Sequence, residues 1–263
     1  MKRLENKTAV IYGAGGIGAA MAKAFVKEGA NVFLVSRTIP KLDAVKKEIV
    51  SDGGAVRIAQ VDVLDEKAVE KHLQEVIAET GRIDISFNTI GLPMTGIQGI
   101  PLLELPVDSF ALPIVTYTTA HLITGKAAAR RMIGQGSGVV LMHTPNASRV
   151  NPPFVGGMSP AWSALESLCR SQSVEWGLKG VRSVCLQTTG MPETPLIDEV
   201  WEVQGKAHGI EPGQFNALME GMTHRGKLTT LEELTKTAVF VASDEGSAFT
   251  GTVVNLTGGM VTA

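Results

Sequence analysis

The stretch Thr8-Ala-Val-Ile-Tyr-Gly-Ala-Gly-Gly-Ile-Gly18 decides the fold. Five residues of strand-like, β-branched and apolar character end in a cluster of glycines. Beyond them Met21, Ala24, Phe25 and Val26 recur at helical spacing until Gly29 stops the pattern. A strand, a tight turn and a helix in that order are the first half of a βαβ unit. The glycines match G-x-G-x-x-G, which permits a sharp turn and lets the helix N-terminus offer free N–H groups and its positive dipole end to a pyrophosphate. Gly13, Gly15, Gly16, Ile17 and Gly18 are therefore candidate dinucleotide-binding residues. The competing reading is a close-packed turn without a ligand.

The alternation continues outward. Strand patterns at 32–35, 56–61, 83–88, 139–143, 181–186 and 253–256 alternate with helical patterns at 40–50, 65–80, 108–132, 159–176 and 230–243. Seven short strands separated by helices long enough for crossovers predict an α/β fold, a Rossmann-type doubly wound parallel sheet in one domain. The segment from Gln187 to Leu228 breaks the rhythm with prolines, glycines and two short amphipathic pieces at 197–203 and 215–219. An irregular insertion after a strand end predicts a substrate lid.

Composition narrows the function. The 263 residues carry 24 Lys+Arg against 26 Asp+Glu, a net charge of −2, without a block of like charge. That balance offers no footprint for nucleic acid or an acidic membrane surface. No apolar run approaches a membrane span, and the charged Met1-Lys-Arg-Leu-Glu start has no apolar h-region behind it, so a cytoplasmic location is expected. Cys169 and Cys185 lack metal or redox spacing and read as small buried side chains; no metal site is expected. The Asn146-Ala-Ser148 sequon reads as chance.

After the second strand a carboxylate would bond the ribose of NAD, but the chain reads Ser36-Arg37. A guanidinium suits a 2′-phosphate, so NADP(H) is favoured over NAD(H).

Together with Val61-Asp-Val63, Asn88-Thr-Ile-Gly91, Ala164-Leu-Glu-Ser-Leu168, Gly180-Val-Arg182 and Gly258-Gly259, the glycine loop makes the whole chain resemble the short-chain dehydrogenase/reductase family. The resemblance implies adenine contacts for Asp62 and Val63 and a ribose wall from Asn88, Thr89 and Gly91. It places Thr194 near the nicotinamide or phosphates, and implies a homotetramer or homodimer. The glycine loop is one residue shorter between Gly13 and Gly16 than the family's usual form, and Tyr12 stands where a threonine is expected.

Family chemistry uses Asn, Ser, Tyr and Lys, the lysine lowering the tyrosine pKa. Alignment on Ala164 to Leu168 sets Tyr117, Pro145, Met158 and Trp162 at those four positions. Shifting it by one helical turn would set Trp162 and Glu166 at the Tyr–Lys pair. The chain has two tyrosines, Tyr12 and Tyr117, and neither is followed four residues later by lysine. A thioether and an indole are not acid–base groups at pH 7. Tyr117 and Thr144 are the catalytic candidates left, with His121 and His143 nearby in sequence. Met158 and Trp162 are expected to form an apolar wall for an apolar small molecule. Three functions stay open: an NAD(P)(H)-dependent oxidoreductase of atypical mechanism, a redox-silent cofactor-binding protein, and a non-redox enzyme on the same scaffold.

Overall fold

In the computed structural model, which describes residues 2–262, seven parallel strands form one sheet: β1 (Thr8–Tyr12), β2 (Asn31–Ser36), β3 (Arg57–Gln60), β4 (Ile85–Asn88), β5 (Gly138–Pro145), β6 (Val181–Thr188) and β7 (Thr252–Asn255). Their order is β3-β2-β1-β4-β5-β6-β7. The direction of winding reverses between β1 and β4, so the crevice beyond their carboxyl ends is where an open α/β sheet binds ligands.

Side chains alternate between two cores, as pleated strands require. Val10, Tyr12, Phe33 and Val35 pack on one face against α3 (Glu66–Thr80), α4 (Val107–Gln135) and α6 (Met158–Trp176). Ala9, Ile11, Val32 and Leu34 pack on the other against α1 (Gly16–Lys27), α2 (Ile39–Ser51) and α9 (Leu231–Ala242). Local chemistry sets the helix ends. Asp65 accepts from the Lys67 and Ala68 N–H groups to start α3, and Gly81, at φ +76°, ends it. Thr230 and Glu233 form a reciprocal capping box at α9. Both cysteines are buried and free.

Three expectations are corrected. The third strand is shorter than 56–61, because only Arg57–Gln60 pairs with β2. The break in rhythm begins after Thr188, since Gln187 and Thr188 still pair in register with Thr144 and Pro145. The two short amphipathic pieces are full helices, α7 (Pro195–His208) and α8 (Pro212–Gly221), each entered through a proline in its first turn. They bury a small core of their own, Ile197, Trp201, Phe215, Met219 and Leu228. One helical turn, α5 (Ala147–Val150), had no sequence signal. No helix among the described residues is long and apolar enough to cross a membrane.

Candidate active site

The glycine loop closes β1 onto α1 at backbone contact distance. Gly13 has φ +106°, and a Cβ there would lie 2.8 Å from the Thr89 carbonyl oxygen. A Cβ on Gly18 would run into the Gly13 carbonyl, so these two glycines permit the packing of helix on turn. Gly15 faces open space, while Gly16 lies under Thr194, whose Cβ would be 3.1 Å from an added methyl. Gly15 caps α1 without a side-chain hydrogen bond, and the first turn holds no acidic residue. The helix thus presents unclaimed N–H groups and its positive end to an open approach beside Gly15, which fits an anionic pyrophosphate.

Along the same sheet edge, Ser36 Oγ accepts the Thr38 N–H at 3.2 Å, and the Arg37 guanidinium is exposed, 3.9 Å from the Asp62 carboxylate. Asp62 also accepts from the Leu64 N–H, and Val63 is buried. Asn88 ties the end of β4 to α4 through Thr124 Oγ1 at 3.1 Å and accepts the Ile90 N–H. Thr89 Oγ1 donates to the Tyr12 carbonyl. Ile17, Asn88, Thr89, Gly91 and Thr194 all line one cavity, whereas Ser36, Arg37, Asp62 and Val63 lie outside it.

That cavity, about 190 Å³, lies over the carboxyl ends of β4, β5 and β6 and beneath α7 and α8. No Asp, Glu, Lys or Arg lines it. Tyr117 enters from α4, and its hydroxyl accepts the Leu92 N–H at 3.3 Å; burial pushes its pKa up to about 12. One turn on, His121 Nδ1 donates to the Tyr117 carbonyl at 2.8 Å, and Nε2 has no partner. Burial pushes His121 down to about 4, against the Tyr117 and Asn88 carbonyls. His143 Nε2 lies 2.8 Å from Thr188 Oγ1, and burial followed by the neighbouring His121 lowers its pKa to about 4. Both imidazoles are neutral at pH 7.

The other candidates separate. Pro145 and Trp162 line the cavity. Thr144 does not: its hydroxyl, on the opposite side of β5, meets Glu166 Oε1 and Cys185 Sγ, each at 3.3 Å. Met158 is fully buried in the sheet–helix core, so the expected apolar wall contains Trp162 without Met158. Glu166, 2% exposed, serves as an anchor under the floor, accepting from Ser148 Oγ at 2.5 Å, Arg149 Nε at 2.7 Å and Gln187 Nε2 at 3.0 Å.

Sequence reasoning missed the groups that seat α7. Glu199 Oε1 accepts from the Met94 N–H, the Thr95 N–H and Thr95 Oγ1 at 2.8–3.0 Å. Gln204 Nε2 donates to Gln98 Oε1 at 2.9 Å and to the Phe154 carbonyl at 3.2 Å. The spacing of Ile197, Trp201 and Gln204, i, i+4 and i+7, was the available signal that Gln204 faces inward. Asn146, read as part of a chance sequon, is buried in the cavity wall with Nδ2 against Met260 Sδ.

With this geometry in hand, comparison with known proteins is direct. Residues 13–261 match the family described as Enoyl-(Acyl carrier protein) reductase. The chain is 30% identical over 262 residues to an uncharacterized oxidoreductase, YxbG, of Bacillus subtilis, covering 99% of this chain and 93% of that one. It is 26% identical to a D-threitol dehydrogenase of Mycolicibacterium smegmatis, covering 98% and 94%. Its fold superposes on NAD+-bound xylitol dehydrogenase with a TM-score of 0.91 at 24% identity, over 98% of this chain and 100% of that one. The seven-stranded doubly wound sheet, the glycine turn on α1 and these relatives agree, and the chain belongs to the short-chain dehydrogenase/reductase family of oxidoreductases.

Proposed function

We propose that the protein is a nicotinamide-dependent reductase of small, uncharged carbonyl compounds in which the Tyr117 hydroxyl supplies the proton. The observation that carries this reading is a tyrosine hydroxyl in the same cavity as Ile17, Asn88 and Gly91, held by the Leu92 N–H. The glycine loop would hold the pyrophosphate, Asp62 and Val63 the adenine, and Asn88, Thr89, Gly91 and Thr194 the ribose and nicotinamide end. Arg37 supports NADP(H) over NAD(H), since its exposed guanidinium stands at the end of β2 with only a 3.9 Å partner. When bound, the nicotinamide supplies the hydride.

The protein's own part is the proton and the pocket. The Leu92 N–H occupies one lone pair of the Tyr117 oxygen and leaves its O–H to donate. Burial raises the Tyr117 pKa and no Lys or Arg lines the cavity to lower it, so the phenol stays protonated near pH 7. A protonated phenol can deliver a proton to the alkoxide formed on hydride addition, but is a poor base for removing one from an alcohol. The arrangement therefore favours reduction. The α7–α8 segment acts as the lid, excluding water from an apolar site. Exposed Leu112, Val115 and Leu122 along α4 support self-association into a homodimer or homotetramer. A redox-silent role is the weaker reading, because characterized relatives are named dehydrogenases.

Titration with NADPH and NADH, followed by tryptophan fluorescence and then by NADPH consumption with a ketone panel, tests the proposal. Tight NADPH binding with Trp162 quenching, weaker NADH binding and ketone-dependent consumption are expected. Binding without turnover on any carbonyl refutes the reductase, and equal affinity for the two cofactors refutes the role of Arg37.

A further inference from the structure

One side chain in the cavity wall keeps an acceptor that no protein donor reaches. Gln204, on α7, is 3% exposed; its amide nitrogen is committed to the Phe154 carbonyl and to Gln98, which fixes its orientation and leaves Oε1 without a partner. Apart from Tyr117, the hydroxyl groups along the wall are occupied elsewhere: Thr89 donates to the Tyr12 carbonyl, Thr189 to the Gly190 carbonyl and Thr194 to the Met191 carbonyl. The rest of the wall is apolar, with Met94, Val155, Trp162, Ile197, Trp201 and Phe215, and it bears no formal charge.

Resting on the reductase reading above, we infer that the substrate is an uncharged, largely apolar ring compound carrying a hydroxyl or other hydrogen-bond donor besides its reacting carbonyl, and that Gln204 Oε1 reads that donor. Gln204 Oε1 is closed to water in this structure, so the acceptor stays unpaired until a ligand donor reaches it as α7 settles over the site, and a ligand without a donor leaves that cost in place. A carboxylate or phosphate would be buried without a cation and against a bare acceptor, so anions are excluded. The volume sets the size. A cavity of about 150 Å³ holds benzene, so about 190 Å³ admits no more than a single substituted ring. Gln204 is a specificity-determining residue. Phe154 helps to set it, since its backbone, at φ +61°, presents the carbonyl that orients the amide.

The experiment compares 4-hydroxycyclohexanone, 4-methoxycyclohexanone, cyclohexanone and 4-oxocyclohexanecarboxylate. Kd is read from quenching of Trp162 and Trp201, which line the cavity, and kcat/KM from NADPH consumption. The hydroxyketone should bind about 10- to 100-fold more tightly than cyclohexanone, in line with the cost of an unpaired buried acceptor. The methoxyketone, which has the oxygen but no donor, should match cyclohexanone, and the carboxylate should not saturate. In Gln204→Met the hydroxyketone-to-cyclohexanone ratio should fall to about 1, and any general loosening of α7 cancels in that ratio. Equal binding of the hydroxy- and methoxyketones in the unaltered protein overturns the inference without recourse to the variant. So do a preferred carboxylate, no binding of any ring ketone, or a ratio that persists in Gln204→Met. Preferential binding of the hydroxyketone with no NADPH consumption upholds the role of Gln204 and refutes the reductase. Turnover with no preference for the hydroxyketone does the reverse.

Discussion

Replacing Tyr117 by Phe removes one oxygen and leaves a ring of nearly the same volume on α4. The hydroxyl makes one identified hydrogen bond, a long one of 3.3 Å from the Leu92 N–H. A neutral bond of this kind contributes about 1 kcal/mol. For a chain of this size the melting temperature should fall by about 2–4 °C. Loss of a general acid costs about 10²–10⁴-fold in rate, equivalent to about 3–6 kcal/mol in the barrier. The two effects are therefore well separated, and the loss should appear in kcat with NADPH affinity retained. Because burial places the Tyr117 pKa near 12, the rate of the unaltered protein should show no tyrosine titration between about pH 6 and 9. The assay is single-turnover NADPH oxidation with a saturating ketone, alongside thermal melting of both proteins. A Tyr117→Phe protein that melts normally and keeps more than about a third of the rate would refute the assignment of the proton to Tyr117.

Other expectations follow from the same geometry. The neutral His121 of the folded state titrates near 4 and its unfolded counterpart near 6.5, so stability is full above 6.5 and is lost as the pH falls toward 4. At pH 5 the loss is about 2 kcal/mol, and His121→Asn should flatten the fall in melting temperature between pH 7.5 and 5 by about 4–8 °C; an unchanged slope would show that the ring is not buried neutral. Glu199 is held below the usual carboxylate range despite partial burial, by the Thr95 groups and the Met94 N–H. Glu199→Gln should raise hydrogen exchange at the Met94 and Thr95 amides about tenfold and raise the KM for ketones, and unaltered exchange would mean that α7 is seated by its apolar contacts alone. Gly13→Ala would set a methyl 2.8 Å from the Thr89 carbonyl at φ +106°, costing about 1–3 kcal/mol. It should abolish the NADPH-induced quench, and a normal titration curve would show that the loop geometry is not needed.

The architecture was legible because its signals are local. The glycine turn, the capping pair Thr230 and Glu233 and the Gly81 stop act within a few residues, and strand alternation reports two buried faces directly. Tyr117 and Trp162 could be placed at the cavity for a related reason, since each has a fixed phase on its own helix. Thr144 and Met158 show the limit of that reasoning. Successive residues of β5 face opposite sides of the sheet, so moving from Pro145 to Thr144 exchanges the cavity for Glu166. On α6, Met158 and Trp162 are one turn apart on the same face and both belong to the buried core, but only Trp162 reaches the cavity wall. The length of α7 and α8 was hidden because their apolar residues cover a single small core, which gives a weak pattern between prolines.

The sequence by itself determined the α/β class, the glycine turn between β1 and α1 and the absence of a Tyr-x-x-x-Lys pair, all of which depend on residue identity and short spacing. Only the tertiary structure decided which polar atoms are left without a partner. Gln204 Oε1 is left bare because its amide nitrogen is drawn to Gln98 and to the Phe154 carbonyl, 106 and 50 residues away in the chain, and burial turns the missing donor into a demand on the ligand.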